Sequence, residues 1–398
     1  MYKYLKKFGD FMKNRLGRFL FIIFSAILVP AIQTVPASAQ NDIMNLSAAD
    51  EETAKKDLEI YNEQRKKLGM ALFYQFNERY RESFPLLKEM AQQDNPVAAF
   101  YYAEALYNGW GTYPPNQAKA EEIFSQGIKR ITAMKKRGDG LISYTLYYAY
   151  LKGHGKPMNM EKAMRWLDIS VEQGYGLALF DKAQIEEKTG RFQEAMSTYL
   201  KSAETDNPEA NFRLGLIYEK GENGVMQNYP QALNYYSKAA RKGHTKAEAN
   251  LGNLYYNGLG TAQNFAEALR LFQNAAKKGN AAAMNGLGVM ALRGEGGMRK
   301  STADAFRYFS ASARSGDSNA LKNLGNMYYN GIGVDADKTK AFDYYRQSAM
   351  KDNPDAMYKV AVMYERGIGV EKNQTSANKW YDILERKGYD VNSMRGGR

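Results

Sequence analysis

The sequence predicts an all-α fold, an α-α solenoid of stacked helix-turn-helix repeats, and three observations support this prediction. A glycine recurs at positions 221, 258, 294, 331 and 367, so that successive copies lie 36 or 37 residues apart. Apolar residues between these glycines follow the 3.6-residue period of an α-helix. Each copy contains glycine where a helix would end, and glycine readily takes the left-handed conformation of a C-cap. A fixed period of this length is typical of repeat proteins, in which each helix pair packs on the next.

Four segments carry the repeated motif most clearly. The copy at Ala247–Gly260 has the sequence AEANLGNLYYNGLG, and the copy at Ala320–Gly333 has the sequence ALKNLGNMYYNGIG. The same pattern occurs at Ala210–Gly221 and at Ala356–Gly369, and a weaker copy occupies Ala283–Gly294. The regular spacing indicates that one structural element is repeated.

Each copy predicts two helices. The first helix places small and apolar side chains on one face, as at Ala247, Leu251, Leu254 and Tyr255. The second helix follows an Ala/aromatic pattern at the same period, as at Ala268, Leu271, Phe272, Ala275 and Ala276. A small residue such as Gly252 lets a neighbouring helix approach closely. Basic residues followed by glycine, as in Arg241–Gly243, are expected to end the second helix because cations complement the helix dipole.

The first 39 residues have the layout of a secretory signal peptide. Residues 1–18 are basic, Phe19–Val29 is an apolar segment of 11 residues, and Ala37–Ala39 supplies a small-residue cleavage pattern. The apolar segment is shorter than the roughly 20 residues that cross a bilayer. We therefore expect cleavage near Ala39, which would release a periplasmic or secreted chain that does not span the membrane. An uncleaved anchor is the alternative, since Pro30 is tolerated within membrane helices.

The repeats organise the rest of the chain. We expect an N-terminal helical cap over residues 40–95, a solenoid of about eight repeats over 96–390, and a loose tail over 391–398. The repeat at 176–206 is short and atypical, because it lacks the double-glycine loop and has Thr189-Gly190 instead.

The motif A-x-x-x-L-G-x-x-Y-x-x-G-x-G, followed by an Ala/aromatic helix, resembles the Sel-one-like repeat family. The resemblance covers residues 98–388 and departs from the family pattern at 176–206 and in the Gly294–Gly297 loop. It implies a right-handed α-α superhelix related to tetratricopeptide arrays. It also implies an adaptor, because family members are commonly adaptors, including exported bacterial proteins of the envelope. Some relatives are connected with β-lactam binding or hydrolysis, but those are rich in cysteine, whereas this chain has none.

Composition and spacing exclude several kinds of active site. The absence of Cys excludes disulfides, zinc–thiolate sites and thiol nucleophiles. The two histidines, His154 and His244, have no ligand partner four residues further on. Glu186 and Glu187 are adjacent on a helix and therefore point apart. The Gly-x-Gly loops link helix to helix, which indicates caps rather than a phosphate cradle. We therefore expect no enzyme activity, no catalytic residue, no cofactor and no metal.

The net charge of +12 does not indicate nucleic-acid binding. The first 39 residues hold six Lys or Arg against one Asp, and basic helix ends account for part of the remainder. No dense Lys/Arg cluster follows residue 39, so we expect no nucleic-acid partner.

Tyrosine pairs recur at 235–236, 255–256, 328–329 and 344–345. At helical spacing such pairs favour the core, although an aromatic ligand platform is the alternative. Truncating a buried member would cost roughly 3–5 kcal/mol.

Amide and tyrosine residues recur at the outer positions of two first helices. They are Asn250, Asn253, Tyr256, Asn257, Asn323, Asn326, Tyr329 and Asn330. The flanking repeats have charged residues in the same columns, among them Arg213 and Lys359. First helices line the concave face in tetratricopeptide-like solenoids, and an Asn amide both donates to and accepts from a peptide backbone. We predict that these eight residues contact a partner; a solvated face that tolerates Asn near helix ends is the alternative.

Together these observations predict an exported scaffold that binds a protein or peptide partner on its concave surface. Two alternatives stay open at this point. One is an enzyme that acts on cell-wall or β-lactam substrates, which would need convergent acid/base groups in a deep pocket. The other is a membrane-anchored assembly factor of the envelope.

Overall fold

The structure is a computed structural model that describes residues 48–76, 79–110, 114–134 and 139–396. Within these residues the protein is helical throughout, with nineteen α-helices and no strand. This confirms the predicted all-α fold of stacked helix pairs. The predicted signal peptide, residues 1–39, lies outside the described residues. In the part of the chain that the structure describes, no helix is both long and apolar enough to cross a bilayer.

The helices form two compact units, one ending at Ala178 and the other beginning at Leu179. The first unit contains α1 (Ala48–Phe76), α2 (Tyr80–Gln92), α3 (Pro96–Asn108), α4 (Gln117–Met134), α5 (Gly140–Lys152) and α6 (Met160–Glu172). Helix α7 (Gly176–Lys188) contains the boundary. The second unit continues with α8 (Phe192–Glu204), α9 (Pro208–Lys220), α10 (Tyr229–Arg241), α11 (Thr245–Asn257), α12 (Phe265–Lys277), α13 (Ala281–Arg293), α14 (Thr302–Arg314), α15 (Ser318–Asn330), α16 (Lys338–Ala349), α17 (Pro354–Arg366), α18 (Gln374–Arg386) and α19 (Val391–Gly396).

Capping residues set the helix ends in the second unit. The first helices α9, α11, α13, α15 and α17 each end at a glycine with left-handed φ, and these are Gly221, Gly258, Gly294, Gly331 and Gly367. The predicted C-caps are thereby confirmed. At the other end, polar side chains cap the helices: Asn264 Oδ1 accepts a hydrogen bond from the Glu267 N–H at 3.0 Å. Such a cap is worth about 1 kcal/mol to its helix.

Close packing within a repeat requires a small residue in the first helix. Phe272 of α12 is only 1% exposed and lies against Gly252 of α11. A Cβ at Gly252 would lie 2.7 Å from the Phe272 ring, which is closer than van der Waals contact allows. The close approach that the sequence predicted is therefore confirmed, and a larger residue would push the two helices apart.

The second glycine of the Gly-x-Gly loop packs one repeat on the preceding one. A Cβ at Gly260 would lie 2.5 Å from the carbonyl carbon of Tyr229, at the start of α10 in the preceding repeat. The sequence predicted caps in these loops. The structure shows that Gly258 is the cap, whereas Gly260 is required for the close approach of two backbones.

The first unit begins with the helix pair α1 and α2, which lies within residues 40–95, where the sequence predicted helices. Asp57 of α1 is 1% exposed and accepts two hydrogen bonds from Arg130 of α4, at 3.0 and 2.5 Å. Helix α1 therefore packs on the α3–α4 pair as well as on α2. That residues 40–95 act as a cap stays a prediction.

The C-terminal tail differs from the loose segment predicted for residues 391–398. Residues Val391–Gly396 form the short helix α19, and Val391 is only 4% exposed. Asp390 stabilises its first turn, because its carboxylate accepts hydrogen bonds from the N–H groups of Asn392 and Ser393. The polar composition of this segment predicted a loose tail, but the burial of Val391 holds it against the fold.

Candidate partner-binding surface

The outer surface of the first helices in the second unit is built from two columns of residues. The donor column lies two residues before the small packing residue of each first helix, which is Gly252 in α11. It consists of Arg213, Asn250, Gly286, Asn323 and Lys359. The facing column lies four residues after that small residue, and it consists of Glu187, Glu219, Tyr256, Leu292 and Tyr329. Each donor-column residue belongs to the repeat that follows its counterpart in the facing column. We call both columns together the first-helix face.

Arg213 is neutralised within the chain. Its guanidinium donates to Glu187 of the preceding repeat, with Nε at 3.2 Å, and to Glu222 at 2.9 Å. Burial opposes the charge of Arg213, but the two carboxylates outweigh this effect and raise its pKa. Burial also opposes the charge of Glu187 and would raise its pKa. Hydrogen bonds from Arg213, Asn223 and Tyr199 nevertheless hold this pKa below its usual value.

Asn250 is bonded to the second helix of the preceding repeat. Its amide donates to the hydroxyl of Tyr236 at 3.1 Å, and that hydroxyl donates to Glu219. Burial, reinforced by the Glu219 carboxylate, raises the pKa of Tyr236. Asn250 therefore supports the packing of two repeats, while its side chain stays only partly buried.

Asn323 and Asn326 also make contacts within the chain. Asn323 donates to Asn285 of the preceding repeat at 2.9 Å, and Asn326 accepts from the Tyr345 hydroxyl at 2.8 Å. Both side chains remain half-buried rather than buried. Each amide has further donors or acceptors that a partner could use.

The two predicted tyrosines lie at the joints between repeats. Tyr256 donates to Glu295 at 2.7 Å and accepts from Arg293 at 2.9 Å, and burial with the Glu295 carboxylate raises its pKa to about 12. Tyr329 lies under the ammonium of Lys338, 3.5 Å from the ring centroid.

Two predicted residues, Asn257 and Asn330, are the last residues of their helices. Asn257 and Asn330 are exposed, and their amides donate to the backbone carbonyls of Asn253 and Asn326 four residues earlier. These bonds satisfy carbonyl groups in the last turn of the helix. Asn253 itself is half-buried. The structure thus separates Asn residues at joints between repeats from Asn residues at helix ends.

An open cleft of about 630 Å³ lies between α15 and α17. Its lining includes two of the predicted contact residues, Asn326 and Tyr329. Its lining also includes three cations and three apolar side chains, which are Lys322, Lys359, Arg366, Val362, Ile368 and Met394. The sequence placed Lys359 in the same column as Asn250 and Asn323, but it did not show that Lys359 and Arg366 border a cleft.

The tyrosine pairs divide between core and surface. Tyr236 and Tyr345 are 0% and 1% exposed, whereas Tyr235 and Tyr344 are half-buried. Residues 255–256 and 328–329 are all half-buried. The core prediction is therefore confirmed for one member of each second-helix pair. Both members of each first-helix pair pack against the edge of the core and stay half-buried.

The histidines serve packing and capping. His154 stacks on Phe124 with ring centroids 4.3 Å apart, and its Nε2 lies 2.8 Å from Glu104. His244 caps α11, because its Nδ1 accepts from the Ala247 N–H at 3.1 Å. Among the described residues, no group of three or more His, Asp or Glu is arranged to hold a metal ion.

A model of the Sel1 repeat matches residues 96–130, 141–175, 208–244, 245–280, 281–317, 318–353 and 354–389, which is more than half of the chain. The chain belongs to the Sel1 repeat family. The resemblance predicted from the sequence is thereby confirmed. The atypical repeat at 176–206 lies between two matched segments. Sel1 repeat proteins typically act as scaffolds for protein–protein interaction, and this chain has their repeat architecture.

Several known proteins are similar to this chain. A Sel1-like repeat-containing protein of Acanthamoeba polyphaga mimivirus is 26% identical over 123 residues, which cover 31% of this chain and 22% of that protein. Chitin synthase regulatory factor 3 of Schizosaccharomyces pombe is 26% identical over 189 residues, which cover 44% and 19%. The chain thus spans about a fifth of the length of these curated relatives.

Two solved structures are also similar. A Sel1 repeat protein from Oxalobacter formigenes shares 27% identity with a TM-score of 0.45, covering 72% of this chain and 96% of that one. A protective antigen of uropathogenic Escherichia coli with an SLR fold shares 21% identity with a TM-score of 0.46, covering 85% and 86%.

Proposed function

We propose that the protein is an exported scaffold of the bacterial envelope that binds a protein or peptide partner through a concave surface made by its first helices. One observation carries this proposal: Asn326 and Tyr329, both predicted as contact residues from the repeat columns, line an open cleft on the first-helix face. An amide beside an aromatic ring offers hydrogen bonds and contact area together, which suits an extended peptide.

The contacts within the chain explain why these residues suit binding. Hydrogen bonds to the preceding repeat hold Asn250 and Asn323, and a hydrogen bond from Tyr345 of the same repeat holds Asn326. Their positions are therefore set before a partner arrives. A preorganised surface loses less conformational entropy on binding. The eight contact residues, from Asn250 to Tyr329 and Asn330, are the proposed binding set.

The proposal makes no use of catalysis. The carboxylates that the sequence singled out, Glu186 and Glu187, lie at the start of the second unit. Glu187 is occupied by Arg213, Asn223 and Tyr199. Such a carboxylate stabilises the fold and is not available as a general acid or base. A scaffold needs only a stable surface and a partner.

Crosslinking in the host of origin tests this function. The tagged chain is crosslinked in the envelope fraction, and co-purified proteins are identified for the wild type and for an Asn250→Ala/Asn323→Ala variant. We expect a dominant partner that is recovered at least fivefold less with the variant. Each substitution also removes a hydrogen bond worth about 1 kcal/mol, so thermal unfolding must show that the variant stays folded.

An Asn234→Ala/Asn378→Ala variant is the matched control, because both residues are exposed on second helices. Equal loss of the partner in the control and the test variant would contradict a binding surface on the first helices. Export is tested separately by N-terminal sequencing of the mature chain. Gln40 as the first residue would support cleavage, and an intact N-terminus would favour a membrane anchor.

A further inference from the structure

The same joint between repeats is built in two different ways in the second unit. At the first joint, Arg213 of the donor column meets two carboxylates, Glu187 of the facing column and Glu222, which lies seven residues after Gly215. At the last joint, Lys359 occupies the position of Arg213. The positions of Glu187 and Glu222 are occupied by Tyr329 and Ile368, and all three residues line the 630 Å³ cleft.

Lys359 consequently lacks carboxylates at the two positions that neutralise Arg213. Its ammonium forms no ion pair with any described residue and lies 5.3 Å from the centroid of the Tyr345 ring. Burial lowers the pKa of Lys359, and the Asp355 carboxylate offsets this effect only in part. The nearby Asp355 is engaged elsewhere, because it pairs with Lys322 at 2.7 Å.

A second cation and an apolar wall complete the cleft. Arg366, on the last turn of α17, also lines the cleft and forms no ion pair within the described residues. Val362, Ile368 and Met394 supply apolar lining, and Asn326 supplies an amide. The volume falls within the range of ordinary ligand sites, so the cleft can hold a short stretch of polypeptide.

From this arrangement we infer that the cleft binds an acidic side chain, Asp or Glu, of an extended segment of a protein partner. The partner's carboxylate takes the place that Glu187 has at the Arg213 joint, facing Lys359 and Arg366. An apolar residue next to it packs on Val362, Ile368 and Met394. The inference rests on the proposed function and adds the chemistry of the partner to it.

A carboxylate fits the site better than other polar groups. It is the group that the equivalent joint already uses to neutralise a cation in the donor column. Charge-assisted hydrogen bonds are also about twice as strong as neutral ones, and they are strongest where water is partly excluded. The two unpaired cations on α17 therefore select an anion over an amide or a hydroxyl.

Panning of a random twelve-residue peptide library against the full chain tests the inference. We expect the enriched peptides to contain Asp or Glu beside an apolar residue. Their affinity should fall about tenfold or more in a Lys359→Gln variant, because a charge-assisted contact is lost. A Lys379→Gln variant is the matched control: it makes the same charge change at an exposed position on α18 and should bind within twofold of the wild type.

A Tyr329→Glu variant gives a second test when it is compared with Tyr329→Gln, because Tyr329 itself belongs to the proposed binding set and only the glutamate adds a charge. It restores the carboxylate that the Arg213 joint has, so it should neutralise Lys359 within the chain and weaken the same peptides, even if Lys359→Gln proves unstable. Circular dichroism must show that the variants are folded.

The outcomes separate the two proposals. Enriched peptides that lack acidic residues, or that bind Lys359→Gln as well as the wild type, would overturn the inference. If such peptides still lost affinity in Asn250→Ala/Asn323→Ala, the scaffold function would stand. A library that yields no binder to the wild-type chain would count against both.

Discussion

The joints at Arg213 and at Lys359 occupy equivalent places in two repeats, yet one is closed and the other is open. At Arg213 the chain supplies two carboxylates: Glu187 belongs to the preceding repeat, and Glu222 belongs to the same repeat as Arg213. At Lys359 the equivalent residues are Tyr329 and Ile368, and a cleft remains. In a repeat protein, the residues that recur in every repeat serve packing. Residues that depart from this pattern in one repeat, such as Lys359 and Tyr329, are therefore candidates for binding.

The energetics of the two joints differ for the same reason. A half-buried cation that has lost water must regain favourable interactions, and the Arg213 side chain does so with Glu187 and Glu222 while remaining 23% exposed. Within the described chain, Lys359 has the weaker attractions of the Tyr345 ring and of Asp355, whose carboxylate is already paired with Lys322. The cation at the first joint therefore stabilises the fold, whereas the cation at the last joint can still form a favourable interaction with a partner.

The largest difference is expected from removing each cation. Arg213→Gln leaves Glu187 partly buried without its main partner and should lower the free energy of unfolding by about 3 kcal/mol. Lys359→Gln leaves no carboxylate unpaired and should change it by less than about 0.5 kcal/mol. Urea denaturation followed by circular dichroism measures both. Equal losses would show that Lys359 has a partner within the chain after all.

An effect of intermediate size is expected in the pH dependence of the free energy of unfolding at the Arg213 joint. The pKa of Glu187 is lowered in the folded chain, so its stabilising effect is fully present above the ordinary Glu value of about 4.3 and is lost as pH falls through the folded value. The wild type should exceed a Glu187→Gln variant by about 2 kcal/mol at pH 7, with the difference shrinking in acid.

Tyr329→Phe is the matched control for this measurement, because it alters the equivalent position without changing charge. Its stability relative to the wild type should not vary between pH 7 and pH 3. A difference between wild type and Glu187→Gln that stays constant over this range would refute the assigned role of the Glu187 charge.

The smallest effect is expected from converting the open joint into the closed one. The glutamate introduced by Tyr329→Glu should pair with Lys359. It should raise the pKa of Lys359 towards the ordinary value, since an opposite charge favours the ammonium. A gain in stability of about 0.5 kcal/mol or less should accompany it. NMR titration of the lysine side chains measures the pKa, and an unshifted Lys359 would mean that residue 329 does not face it.

Sequence reasoning predicted the fold well because its signals are local. The spacing of Gly258 and its equivalents, and the helical period of Ala247 and Leu254, depend on one helix at a time. The role of Gly260 was missed because it depends on how closely Tyr229 of another repeat approaches. The helix α19 was missed because one buried Val391 outweighs a polar neighbourhood.

The candidate site was predictable only in part. The columns that contain Asn326 and Tyr329 could be read from the repeats, but the hydrogen bonds from Asn250 to Tyr236 and from Asn323 to Asn285 depend on geometry between repeats. The signal for the cleft was nevertheless present in the sequence. When the repeats are aligned so that Lys359 matches Arg213, Tyr329 falls at the position of Glu187. The alignment therefore shows that the repeat before Lys359 lacks the carboxylate that neutralises Arg213.

Site-specific photo-crosslinking in the host tests the central claim most directly. A photoreactive phenylalanine analogue is placed at position 329 in the cleft and, in a second strain, at position 378 on the exposed side of α18. We expect a partner adduct from position 329, its loss when Lys359→Gln is added, and no adduct from position 378. An adduct from both positions, or one that persists without the Lys359 charge, would contradict it.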